Sequence, residues 1–135
     1  MARLAARAYA VLIAGVVAFQ MALVAGAPWG EFTQGGASSG VLPPVGRLIA
    51  LASALVLVVL ALAVLGSAGI GPWKAKRRLS TVLAWIAVAY GVVAIAANAA
   101  TPSAGERIIW LPVSLALLTT VLVAMLGSGR PAAPR

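Results

Sequence analysis

The chain has no cysteine, no histidine and no aspartate, and only two acidic residues, Glu31 and Glu106, in 135 positions. Without cysteine there is no disulfide, no thiol nucleophile and no clue to redox compartment. Without histidine there is no imidazole base and no histidine ligand for haem, and the usual zinc sets are missing as well. Acid–base chemistry would have to run through Glu31 and Glu106, and no cofactor is implied. Charge of either sign is scarce: 9% of residues are charged, against roughly a quarter in soluble domains.

What is present is apolar. The chain is 63% hydrophobic, with a mean hydropathy of +1.08. Uncharged runs at 8–28, 48–73, 79–105 and 108–129 each suit a bilayer core that needs roughly 20 apolar residues per helix. Gly and Pro trim their ends, at Gly26 and Pro28, Gly66 and Gly69, Pro102, and Gly127 and Gly129. The prediction is an all-α integral membrane protein, one four-helix domain of two hairpins, with helices near 8–27, 45–65, 80–99 and 108–126. An outer loop then covers 28–44, a basic loop 66–79, a second outer loop 100–107 and a tail 127–135. The first span has a rival reading as a secretory signal, because Arg3 and Arg7 precede an apolar stretch ending in Ala25-Gly26-Ala27. That stretch exceeds the usual roughly 7–15 residues, and Pro28 would follow the cleavage site.

Basic residues set the expected orientation. Arg3, Arg7, Lys74, Lys76, Arg77, Arg78, Arg130 and Arg135 fall on one side of the predicted topology, and account for the net charge of +8. The other side holds Arg47, Arg107, Glu31 and Glu106, which cancel. Both termini are therefore expected in the cytoplasm, with the protein in the cell membrane. The basic side would attract anionic lipid at about 1 kcal/mol per residue near the surface. "KAKRR" (74–78) is one short loop with no motif around it, so no nucleic-acid partner is expected.

Two patterns suggest how the helices are arranged. "LPPVGRL" (42–48) and "LPVSL" (111–115) both read as helix starts, and Leu-Gly-Ser recurs at 65–67 and 126–128, as a duplicated hairpin would produce. Small residues recur every four positions in span one, at Ala6, Ala10, Ala14, Ala18, Ala22 and Gly26, and in span four at Ala116, Thr120, Ala124 and Ser128. Such stripes let helix backbones approach closely, which places spans one and four in the bundle interior or at a protomer interface.

Ser103-Ala-Gly-Glu106 has the spacing of a capping box, in which Glu106 also favours the positive end of the last helix. Trp110 and Trp29 suit the membrane interface, as Trp73 does on the other side. Polar residues gather in the outer halves of the spans: Gln20, Asn98 and Ser114 lie level with Glu31, Arg47, Ser103, Glu106 and Arg107. Polar groups inside a membrane face protein or a water-filled cavity. These ten residues form a candidate outward-facing polar cluster, in which Glu31 and Glu106 are available to pair with Arg107 and Arg47. The alternative for Gln20 and Asn98 is plain interhelical hydrogen bonding.

"GAPWGEFTQGG" (26–36), "GVLPP" (40–44) and "NAATPSAGERIIWLPV" (98–113) resemble signatures of a group of small four-span bacterial membrane proteins. The resemblance covers most of the chain after residue 25 and implies the four-span fold without an activity. Small multidrug transporters are similar in size, but they resemble one another by a membrane-embedded glutamate in the first span, where this chain has Gln20.

Three functional classes follow. The favoured one is a non-enzymatic protein that binds a lipid headgroup, a small amphiphile or a partner membrane subunit at the outward pocket. A small dimeric transporter would need a polar path through the inner half. An outer-leaflet lipid enzyme would use Glu31 and Glu106. Membrane lipids are partners in each case, and a homo-oligomer is compatible with the small-residue stripes.

Overall fold

The computed structural model describes residues 1–128; the tail from Gly129, with Arg130 and Arg135, and the side chain of Ser128 lie outside the described residues. Four helices make up nearly all of it: α1 (Ala2–Val24), α2 (Pro44–Ser67), α3 (Arg77–Ala100) and α4 (Ala104–Ser128). Two single 3-10 turns, Gly30–Phe32 and Gln34–Gly36, sit in the loop between α1 and α2. All four helices are long and apolar enough to cross a membrane, which makes this an all-α multi-pass membrane protein.

The helix ends follow local chemistry. α1 begins at Ala2 rather than Ala8, with Arg3 and Arg7 in its first turns, where long basic side chains can reach back to polar surroundings. It stops at Val24, ahead of Gly26 with its φ of 100°. Pro43 and Pro44 stand at the N-cap and first position of α2, where a missing N–H costs nothing. α4 begins at Ala104 rather than near Ile108, because the Ser103 hydroxyl accepts the Glu106 N–H at 3.1 Å and so caps the helix. Pro112 consequently lies inside α4 and not at its start. The two Leu-Pro matches therefore occupy different places in their helices, which removes them as support for a duplicated hairpin.

The bundle is four-sided: α1 and α3 each pack on α2 and α4. Arg3 Nη2 donates to the Gly69 carbonyl at 3.2 Å, which ties the start of α1 to the turn after α2. This end also carries Lys74, Lys76, Arg77 and Arg78; we call it the basic end, and the opposite one the loop end. Below mid-height toward the basic end the bundle is mostly apolar, with Tyr9, Ile13, Leu60, Val64, Val121 and Met125 buried together and Ser67 and Ser80 buried near the end. A smaller cluster of Leu23, Leu42 and Ala50 closes α1 against α2 at the loop end.

The stripe in α1 enters the core at one end only. Ala6 is fully buried, whereas Ala14 and Ala18 are exposed, and Tyr9, Ile13 and Leu23 form the buried face instead. A strict four-residue repeat gains about 40° per step on a 3.6-residue helix, so the row winds off the packed face. Ala14 and Ala18 instead line a shallow apolar groove, shared with Val58 and Leu62 of α2, on the outside of the bundle. In α4, Ala124 is fully buried and Ala116 and Thr120 partly so.

Candidate functional site

The loop between α1 and α2 folds across the loop end and is held there by α4. The Gly35 N–H donates to Glu106 Oε2 at 2.9 Å, the Ser103 hydroxyl donates to the Glu31 carbonyl at 2.7 Å, and Trp110 Nε1 donates to the Phe32 carbonyl at 2.7 Å. Gln34 Nε2 adds a bond to the Gly46 carbonyl of α2 at 2.8 Å. Two glycines make this fit possible. Gly30 leaves no room for a side chain, since an added Cβ would lie 2.6 Å from the carbonyl oxygens of Ser38 and Gly40. Gly36 has a φ of +71° and would meet Ser103 Cβ at 2.8 Å.

Half of the predicted capping box forms. Ser103 caps the helix, but the Glu106 side chain does not return to the Ser103 N–H. Its Oε2 accepts from the Thr101 hydroxyl at 2.6 Å and from Gly35. The Ser103 N–H points to Thr101 Oγ1 instead, at 3.4 Å. Glu106 thus links the last turn of α3, the start of α4 and the loop.

Beneath this roof lies a cavity of about 160 Å³, with lining from all four helices. Its polar groups are Gln20 of α1, Ser53 of α2, Tyr90 and Asn98 of α3, Glu106, Trp110 and Ser114 of α4, and Thr33 of the loop. Toward the basic end it stops at Val16, Leu57 and Leu117, which belong to or pack on the apolar core. The cavity is therefore a chamber in one half of the bundle. Asn98 Nδ2 donates to Ser114 Oγ at 2.8 Å and bridges α3 and α4 across its wall. Gln20 Oε1 is buried and has no hydrogen-bond partner among the described residues, an arrangement that costs about 1–3 kcal/mol.

Of the ten residues that the sequence singles out, Gln20, Asn98, Glu106, Trp110 and Ser114 line the chamber. The other five surround it without entering. Trp29 stacks on Phe19 at 5.8 Å and is 43% exposed, and Phe19 in turn meets the Trp110 ring edge-on at 4.7 Å. Trp110 thus ties the loop to α4. Glu31 is exposed, and Ser103 caps α4. Among the described residues neither arginine pairs with a carboxylate: Arg47 Nε donates to the Leu42 carbonyl at 3.1 Å and Arg107 Nη2 to that of Thr101 at 2.5 Å. Thr33, Ser53 and Tyr90 escaped the sequence reading. Tyr90 was within reach, since it lies two helical turns before Asn98 on the same face, with Ala94 between them.

No family model, curated protein or solved structure matches the chain. The functional reading therefore rests on the geometry of the chamber.

Proposed function

We propose that this is a small non-enzymatic protein of a bacterial cell membrane, with its loop end outward and both termini in the cytoplasm. It belongs, on this reading, with the four-span bacterial group that its motifs resemble. Its chamber receives the head of a lipid or small amphiphile, or a group presented by a partner subunit. What supports this is the polar chamber itself, lined by Gln20, Asn98, Glu106 and Ser114 within an otherwise apolar helix bundle. Intramembrane polar groups mark ligand or partner sites when they face such a space.

Neither alternative finds comparable support. Transport needs a polar path to the other side, and Leu57, Leu60, Val64 and Val121 fill that route. Catalysis by two carboxylates needs them to face one substrate, but Glu106 lines the chamber while Glu31 is exposed outside it.

Native mass spectrometry of the full chain released from bacterial membranes in mild detergent tests the proposal. Wild type should retain a copurifying amphiphile or partner, and Ser114→Leu, which pushes a larger side chain toward the chamber, should lose it. Equal retention by both proteins, with equal melting temperatures, would falsify the chamber as the site.

A further inference from the structure

Resting on that reading of the chamber, we infer that the group it takes is a primary ammonium carried on an apolar chain, as in an amine-headed lipid or a free alkylamine. The lining is rich in acceptors and contains no lysine or arginine. Glu106 supplies a carboxylate whose partners, the Gly35 N–H and the Thr101 hydroxyl, are uncharged. The two guanidinium groups nearby are turned to the backbone carbonyls of Leu42 and Thr101. A phosphate or carboxylate entering the chamber would meet the Glu106 carboxylate, with no lysine or arginine in the lining to offset it.

An ammonium group satisfies the same lining. It brings three N–H donors, which can be shared among Glu106 and the hydroxyls of Ser53 and Ser114. Tyr90 and Trp110 add aromatic surface, which attracts cations. A trimethylammonium head carries the same charge but has no N–H, so it would make none of these hydrogen bonds. Size agrees too: about 160 Å³ is close to the roughly 150 Å³ that accommodates a benzene-sized guest, enough for an aminoethyl head. The apolar chain has a way out. Beyond Gly91, α3 buries no residue, and Tyr90 is 42% exposed, so the α3 side of the chamber borders the hydrocarbon.

The test is titration of the purified full chain in a maltoside detergent, read by tryptophan fluorescence and by native mass spectrometry. Dodecylamine is compared with dodecyltrimethylammonium, and lysophosphatidylethanolamine with its choline and glycerol counterparts. Each primary amine should bind about tenfold or more tighter than its counterpart, the weight of one hydrogen bond to a charged group. Glu106→Gln, nearly equal in volume, should abolish that preference. Preference for the lysolipid alone or for dodecylamine alone supports the inference and separates a lipid from a free amine. Equal binding of amine, choline and glycerol heads, all blocked by Ser114→Leu, overturns the ammonium while leaving the chamber as a headgroup site. Binding that Ser114→Leu leaves unchanged for every probe overturns both.

Discussion

Trp110 of α4 donates its indole N–H to the backbone carbonyl of Phe32, 78 residues earlier in the chain, at 2.7 Å. With Gly35 to Glu106 and Ser103 to Glu31, this makes three bonds between one short loop and the first two turns of one helix. The loop motif "GAPWGEFTQGG" and the helix motif "ERIIW" are therefore two halves of one clasp. It roofs the chamber, so its strength should govern how easily the chamber opens.

Trp110→Phe keeps the aromatic edge toward Phe19 but leaves the Phe32 carbonyl without its donor. We expect a stability loss of about 1–3 kcal/mol. Amide hydrogen exchange at residues 30–36 should quicken, with little change in α2 and α3. Unaltered exchange there would mean that the indole bond does not hold the loop.

Glu106→Gln and Ser103→Ala separate charge from capping. A glutamine oxygen can still accept from Thr101 and Gly35, so Glu106→Gln should cost about 1 kcal/mol or less, the difference between a charged and a neutral acceptor. Ser103 both caps α4 and donates to Glu31, and its loss to alanine should cost about 1–2 kcal/mol. Thermal unfolding in detergent ranks the pair, and a Glu106→Gln protein less stable than Ser103→Ala would show that the charge itself holds the clasp.

Overpacking should be felt at Ala6 and not at Ala14 or Ala18. Ala6→Leu pushes into a fully buried contact, a change that typically costs about 1–3 kcal/mol. Leucine at the exposed positions 14 and 18 should leave the melting temperature of the monomer almost unchanged. If Ala18→Leu instead destabilises the protein in a concentration-dependent way, the groove beside α2 is a contact between copies of the chain.

Sidedness can be read with single cysteines, since the chain has none of its own. Ala37 in the loop and Ala75 in the basic turn are both exposed. In intact cells an impermeant maleimide should label Ala37→Cys, and should label Ala75→Cys only after lysis. The reverse pattern would invert the proposed orientation.

Much of this architecture was legible because hydropathy and helix punctuation act locally. Uncharged runs gave four spans, and Ser103 with Glu106 marked the start of α4 correctly, although the apolar run itself begins later, at Ile108. Facing directions were harder to read. The alanine row of α1 looked like a seam, yet its period differs enough from 3.6 to carry Ala14 and Ala18 out of the core, and bulky Tyr9 and Ile13 took that place. The five chamber residues shared helix faces that periodicity can reveal. The clasp could not be foreseen, because it joins backbone carbonyls and amides to side chains far away in sequence.

The packed half of the bundle also has an electrical consequence. When the chamber is open to the loop side, water or a bound head in it would carry that side's potential down to the level of Leu57, and most of a transmembrane voltage would drop across the apolar half below. A full crossing is worth about 2.3 kcal/mol per charge at 100 mV, but a cation entering the chamber traverses only the shallow part of that field. Under the proposed orientation, occupancy of the chamber should therefore be nearly independent of membrane potential, with Leu60, Val64 and Val121 packed between it and the basic end.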